Sequence, residues 1–311
     1  MRPVILLCFA AHVCAQDAVF RTDVALVHVD AEVTAADGTI LTGFTRDDFK
    51  VFDEHKPQTI LNFTAEEEPL DLILLFDISG SMRAVVGEVA SASHEAFREL
   101  RKGDRVSVMV FNAGSRVVSP FTEDLEEVDR TIQSDVMGLQ FGGGTHIQAA
   151  VDDAALRFLH EKRTQRRRAV LIVTDNIGQR TRREESVVRD FWEADAILSG
   201  LIVRNPTFQK IHTVSTIMNP QNLLLEAGMK GIAEKTGGDT IHSDDPGTAF
   251  QDSMRRIRSR YSLYYALPQA KAGTTRSIHV ELSAEAARRN PKSRVRARTG
   301  YVVPAPAEKS K

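Results

Sequence analysis

Residues 70–83 read LDLILLFDISGSMR. A continuous apolar run of this length is a strand buried on both faces, the kind that a parallel sheet contains. It ends abruptly in Asp-Ile-Ser-Gly-Ser. In extended or gently turning chain, residues two apart point the same way. Asp77, Ser79 and Ser81 therefore present three oxygens in one direction, and Gly80 lets the backbone turn tightly between them. A buried strand that delivers a carboxylate and two hydroxyls to its tip constrains the rest of the fold, because other loops have to meet it there.

The segments that follow fit that demand. DRVSVMVFN (104–112), RVVSPF (116–121), RAVLIVTD (168–175), AILSGLIVR (196–204) and DTIHS (239–243) read as strands. Helical spacing runs through 84–101, 124–135, 145–162, 184–194, 223–238 and 246–260. Apolar strands alternating with amphipathic helices predict an α/β fold: a doubly wound, mostly parallel sheet with helices on both faces. In such a sheet, ligands bind at the carboxyl ends of the strands, near the point where strand order reverses.

The flanks have a different texture. FRTDVALVHVDAEVTAADGTIL alternates apolar and polar residues, with a hairpin signal at Asp37-Gly38. FKVFDEHKPQTILNF is a second alternating pair, read with a polar turn around Pro57. After residue 260, YSLYYAL, RSIHVELS and SRVRARTGYVV return to strand texture. These segments predict a small antiparallel β module built from both ends of the chain, without helix. The expected organisation is a signal peptide (1–15), an N-terminal β segment (16–68), the α/β domain (69–260), a C-terminal β segment packing on the first (261–303) and a disordered tail (304–311).

The signal reading rests on MRPVILLCFAAHVCAQ: a basic start, a short apolar stretch and a small residue at the cut. The run is too short to span a bilayer, and no other segment is long and apolar enough. Both cysteines, Cys8 and Cys14, fall inside it. The mature chain then has no disulfide, no thiolate nucleophile and no thiolate metal ligand, and is expected in the periplasm or outside the cell.

A carboxylate with hydroxyls is a hard oxygen set that suits Mg²⁺, or Mn²⁺ and Ca²⁺. Three ligands are too few for an octahedral ion. FGGGTHI places Thr145 behind three glycines and before a helix, and VLIVTDN places Asp175 at the end of a buried strand. Asp77-Ile78-Ser79-Gly80-Ser81, Thr145 and Thr174-Asp175, together with GDRVSVMVF and IAEKTGGDT, resemble the von Willebrand factor type A domain over about residues 69–260. The flanking segments TGFTRDDFKVFDEHKPQTILNF and ARTGYVV resemble an exported bacterial subfamily described from acidobacteria. The resemblance implies a metal-ion-dependent adhesion site. Ser79, Ser81 and Thr145 are then hydroxyl ligands, and Asp77 and Asp175 act directly or through water. It also implies a protein partner whose Asp or Glu completes the metal shell. Two departures stand out: Asn176 replaces the family's usual Gly, and HIQAA follows the Thr loop.

The expected function is thus a non-catalytic, metal-dependent protein–protein interaction or adhesion at the cell envelope. The alternatives are a metal-dependent hydrolase using the same ion, and a structural module that the ion only stabilises. No Gly-x-Ser-x-Gly elbow, His-Glu-x-x-His or phosphate-binding Gly-Lys loop appears in the sequence. A net charge of −2 with four Tyr and one Trp argues against a nucleic-acid partner. The basic runs EKRTQRRR (161–168) and RRIRSR (255–260) read as solvated helix ends. Asp47-Asp48 and Asp152-Asp153 read as solvent-exposed, and Asp244-Asp245 as a helix cap.

Overall fold

The structure is a computed structural model that describes residues 25–65, 68–161, 166–178, 182–203 and 225–305. The signal segment 1–15 and residues 306–311 of the tail lie outside the described residues. Strands β1 Leu26–Thr34, β2 Phe49–Asp53, β3 Lys56–Gln58 and β4 Ile60–Ala65 come first. The α/β part supplies β5 Leu70–Asp77, β6 Arg105–Phe111, β7 Ser115–Thr122, β8 Arg167–Thr174 and the short β9 Ile177–Gly178. It continues with β10 Ala196–Val203, β11 Leu225–Glu226 and β12 Thr240–Ser243. The last four are β13 Tyr261–Ala266, β14 Thr275–Leu282, β15 Arg294–Ala297 and β16 Gly300–Val302.

The central sheet runs β12-β10-β8-β5-β6-β7. Every pair is parallel except β6 with β7. From β5 the chain moves to β6 on one side and later returns to β8 on the other, so the strand order reverses between β5 and β8. Every residue of β5 is buried. Leu70, Leu72, Leu74 and Phe76 face the core formed with α1 Arg83–Ala96 and the helix Pro246–Arg258, while Ile73 and Leu75 face the core of α3 Ile147–Leu159 and α4 Glu184–Ala194. Period-two alternation thus splits one apolar strand between two helical layers.

The flanks form two four-stranded sheets, ordered β15-β1-β13-β4 and β16-β14-β2-β3. N-terminal strands pair with C-terminal ones in both: β1 with β13 and β15, and β2 with β14. Their shared core includes Val29, Val33, Phe49, Val51, Leu263 and Val280. The hairpin of β2 and β3 turns at Glu54 and His55, both at positive φ, and Pro57 lies inside the edge strand β3, where its missing N–H is harmless. The turn therefore precedes Pro57 instead of surrounding it, as the sequence reading had it. Two short helices, Arg46–Asp48 and Ala284–Arg289, also interrupt what was expected to be pure β structure.

Other expectations change at helix ends. The helix expected over 223–238 begins only at Met229, because Leu225–Glu226 pairs with β9 and Gly228 takes φ +72°. The helix read over 124–135 is α-helical only for α2 Leu125–Arg130 and continues as a π-helix, Thr131–Val136. Asp245 caps the helix Pro246–Arg258, as expected, by accepting from Thr248 N at 3.1 Å.

The largest correction concerns charge. Arg167, Arg168, Arg258 and Arg260 are buried rather than solvated. Arg167 Nε lies 2.8 Å from Asp30 Oδ1, and Arg258 Nε lies 3.2 Å from Asp104. Arg166 and Arg105 share Asp71 at 2.6 and 2.7 Å. Glu32, fully buried in β1, faces Arg256, Arg260 and Arg296. The acids come from β1, β5 and the approach to β6, far away in sequence, so neither basic run shows its partners locally. This network joins the β module to the starts of the central strands. His28 completes it, stacked on Tyr264 between Asp30 and Asp195. Burial pulls its pKa down, but the two carboxylates outweigh burial and raise it to about 10. Asp48 is buried as well: its carboxylate accepts from Thr45 N at 2.8 Å and also pairs with Arg289. Asp152 is buried too, against the expectation of exposure, and lies 3.6 Å from Arg182.

Candidate metal centre

Asp77 ends β5 and Thr174 ends β8, so both reach the carboxyl edge beside the reversal point. Asp77 is fully buried. Its Oδ1 accepts from Ser79 N at 2.8 Å, and its Oδ2 accepts from Thr174 Oγ1 at 2.7 Å. The first bond makes a tight turn of the chain after β5, so Asp77 both shapes the loop and faces the site. Ser81 Oγ donates to Asp175 Oδ2 at 2.8 Å and lies 3.3 Å from Ser79 Oγ. Asp175 Oδ1 accepts from Ile177 N at 3.0 Å. The sequence reading named Asp77, Ser79, Ser81 and Asp175, and one hydrogen-bonded chain joins them.

Thr145 reaches this edge through its backbone neighbourhood. Gly142 N donates to Ile78 O at 2.9 Å, and His146 N donates to Asn112 O at 2.9 Å. The Gly-rich loop is thereby tied to the loop after β5 and to the end of β6. Gly143, at φ +88°, is one residue whose conformation a side chain would strain. His146 is the N-cap of α3. Asn176 takes φ +59°, the left-handed conformation that Asn tolerates in place of Gly.

Two residues were given no role from the sequence: Thr174, named only beside Asp175, and Asn112. Thr174 orients Asp77 and accepts from Asn176 N at 3.1 Å. Asn112 holds the Gly loop through Nδ2 to Gly142 O at 3.0 Å. Their signal was position: each is a polar residue at the end of an apolar strand.

Gly178 packs against the Thr loop so closely that a Cβ would lie 2.6 Å from Thr145 O. Gly178→Ala is expected to lower stability by about 1–3 kcal/mol, the usual range for overpacking. Urea unfolding measures this, and an unchanged midpoint would mean that the loop gives way freely.

Burial, and then the nearby charge of Asp175, push the Asp77 carboxyl up to about 7, against hydrogen bonds from Ser79 and Thr174. A cation between two such carboxylates replaces repulsion with attraction. Among the described residues, no group of three or more His, Cys, Asp or Glu gathers into a metal site. An ion here would therefore rely on hydroxyl oxygens beside the two carboxylates, which is the donor set of a hard divalent ion. The residues present fit Mg²⁺.

Residues 72–179 match the family model of the von Willebrand factor type A domain. The α/β domain has a fold like that of this family. The match spans β5 to β9 and contains all five residues named from the sequence. Among solved structures, the chain is similar to the conserved hypothetical protein BatB from Bacteroides thetaiotaomicron, at 19% identity, 60% coverage of this chain, 97% of that one and a TM-score of 0.47. Proximal thread matrix protein 1 from the mussel byssus is similar at 13% identity, covering 63% of this chain and 49% of that one, with a TM-score of 0.48. A von Willebrand factor type A protein from Catenulispora acidiphila is similar at 12% identity, covering 92% and 76%, with a TM-score of 0.47. No curated protein matches the chain. Among the described residues, no helix is long and apolar enough to cross a membrane.

Proposed function

We propose that the A-type domain binds a protein partner through a divalent ion held by Asp77, Ser79, Ser81, Thr145 and Asp175. Domains of this type bind protein partners. The observation that carries the reading is the bond from Ser81 Oγ to Asp175 Oδ2 at 2.8 Å, which closes the loop after β5 onto the loop after β8. It gathers two carboxylates and two hydroxyls at the reversal point of the sheet. Mg²⁺ is the proposed ion, with Mn²⁺ or Ca²⁺ also suited to these oxygens. Two carboxylates balance the ion's charge and leave it able to accept a further carboxylate, an Asp or Glu of the partner. The proposed role is binding without turnover. The signal-like first residues support a proposed role outside the cytoplasm, in the periplasm or beyond.

The test is a Mg²⁺ and Mn²⁺ titration of the mature chain by calorimetry, beside Asp175→Ala. Saturable binding of one ion by the wild type and none by the variant supports the reading. Equal binding by both, or none by the wild type at millimolar metal, overturns it.

A further inference from the structure

Arg83 opens α1 two residues after Ser81. This is an unfavourable place for a cation, since the orphan N–H groups of a helix start carry partial positive charge. The first turn of α1 contains no acidic residue, and no side chain caps it. The guanidinium is nevertheless held in position. It lies 5.0 Å from the centroid of the Phe141 ring, and Nη1 donates to Leu139 O at 3.3 Å. Phe141 packs on the core below and leads directly into the Gly-rich loop. The cation therefore sits on the rim between the loop of Asp77 and the loop of Thr145. Arg83 is exposed, and among the described residues it forms no ion pair. One of its five N–H donors has a carbonyl partner; the planar fork that suits a carboxylate remains to be used.

We infer that Arg83 is a second anchor for the partner, taking an acidic side chain that neighbours the carboxylate bound to the metal. The inference rests on the metal-bridged reading above. Asp77 and Asp175 neutralise the ion and leave the charge of Arg83 uncompensated. A partner segment with a single acid leaves it so, whereas a segment with two nearby acids compensates both cations. Arg83 thereby selects a doubly acidic segment, and Phe141 is the positioning residue that keeps the guanidinium on the rim.

The experiment uses blocked pentapeptides that carry one Asp, or that Asp with a Glu one, two or three residues away. Each is titrated into the mature chain in Mg²⁺ and in chelator, for wild type, Arg83→Gln and Phe141→Leu. At least one two-acid peptide is expected to bind wild type about three- to fivefold more tightly than the one-acid peptide, the scale of an exposed ion pair. The advantage should shrink with added salt, vanish in Arg83→Gln and fall in Phe141→Leu. Mg²⁺ titration of the variants reports that the metal site still forms. If the one-acid peptide binds only in Mg²⁺ and no second acid helps, or if the advantage survives Arg83→Gln, the inference falls alone. If no peptide responds to Mg²⁺ in the wild type, the metal-bridged reading falls and the inference with it.

Discussion

Replacing Asp77 with Asn is expected to stabilise the metal-free protein above pH 7 and to abolish its stabilisation by Mg²⁺. The carboxyl of Asp77 is pushed up to about 7 by burial and by Asp175. Below about pH 4 it is protonated whether the chain is folded or not. Between about pH 4 and 7 the folded state holds the proton more tightly, so stability falls as pH rises through that window. At about 1.4 kcal/mol per pKa unit, the loss is on the order of 4 kcal/mol at full ionisation. Asn fills the same space, and the hydroxyl of Thr174 can rotate to meet an amide. The variant lacks the charge and so lacks the loss. With Mg²⁺ the gap narrows: an ion at a hundredfold its dissociation constant stabilises the wild type alone by about 2.7 kcal/mol. Thermal unfolding at pH 5 and pH 8, with and without Mg²⁺, reads all four values. A parallel rise of both proteins in Mg²⁺ would remove Asp77 from the site.

Arg167→Met is expected to cost about 3–5 kcal/mol at the other end of the same strands, the scale for breaking a buried ion pair. Arg167 donates to Asp30 through Nε at 2.8 Å, and through Nη2 and Nη1 to Ile257 O and Arg258 O at 2.6 and 3.2 Å. Methionine fills much of the stem's volume but leaves Asp30 and two carbonyls without these donors. Asp30 keeps His28 and Ser262 nearby, which favours the lower end of the range. The loss should be the same in Mg²⁺ and in chelator. Asp77 and Arg167 lie at opposite ends of eight-residue strands, roughly 20 Å apart. Changes that far apart add to within about 0.5 kcal/mol. Urea unfolding of Asp77→Asn, Arg167→Met and the double variant tests this, and a clear departure from additivity would mean that the β module communicates with the metal edge.

The two ends of the sheet were not equally legible. Asp77, Ser79, Ser81 and Asp175 could be read because they stand at the tips of two apolar strands, β5 and β8, and strands in such a sheet all deliver their carboxyl ends to one edge. Their mutual placement needed only the strand pattern. The parts played by Thr174 and Asn112 were not read because each is a matter of one hydrogen bond, which no spacing announces. The basic runs at 161–168 and 255–260 were misread for a deeper reason. An arginine's solvation depends on whether another segment covers it, and β1 lies more than a hundred residues away from Arg167 in the chain. The same holds for the start of the helix at Met229, which is decided by the pairing of Leu225 with Gly178.

By itself, the sequence determined the alternation of buried strands and helices, the β texture of both flanks and the oxygen-bearing tips, because these follow from local periodicity and chain direction. The tertiary structure alone decided which charges are buried, how the two flanks interleave into paired sheets, and where Arg83 rests on Phe141. Those outcomes depend on long-range contacts that exclude water, and the cost of burying a charge is met only by partners that the fold brings from elsewhere in the chain.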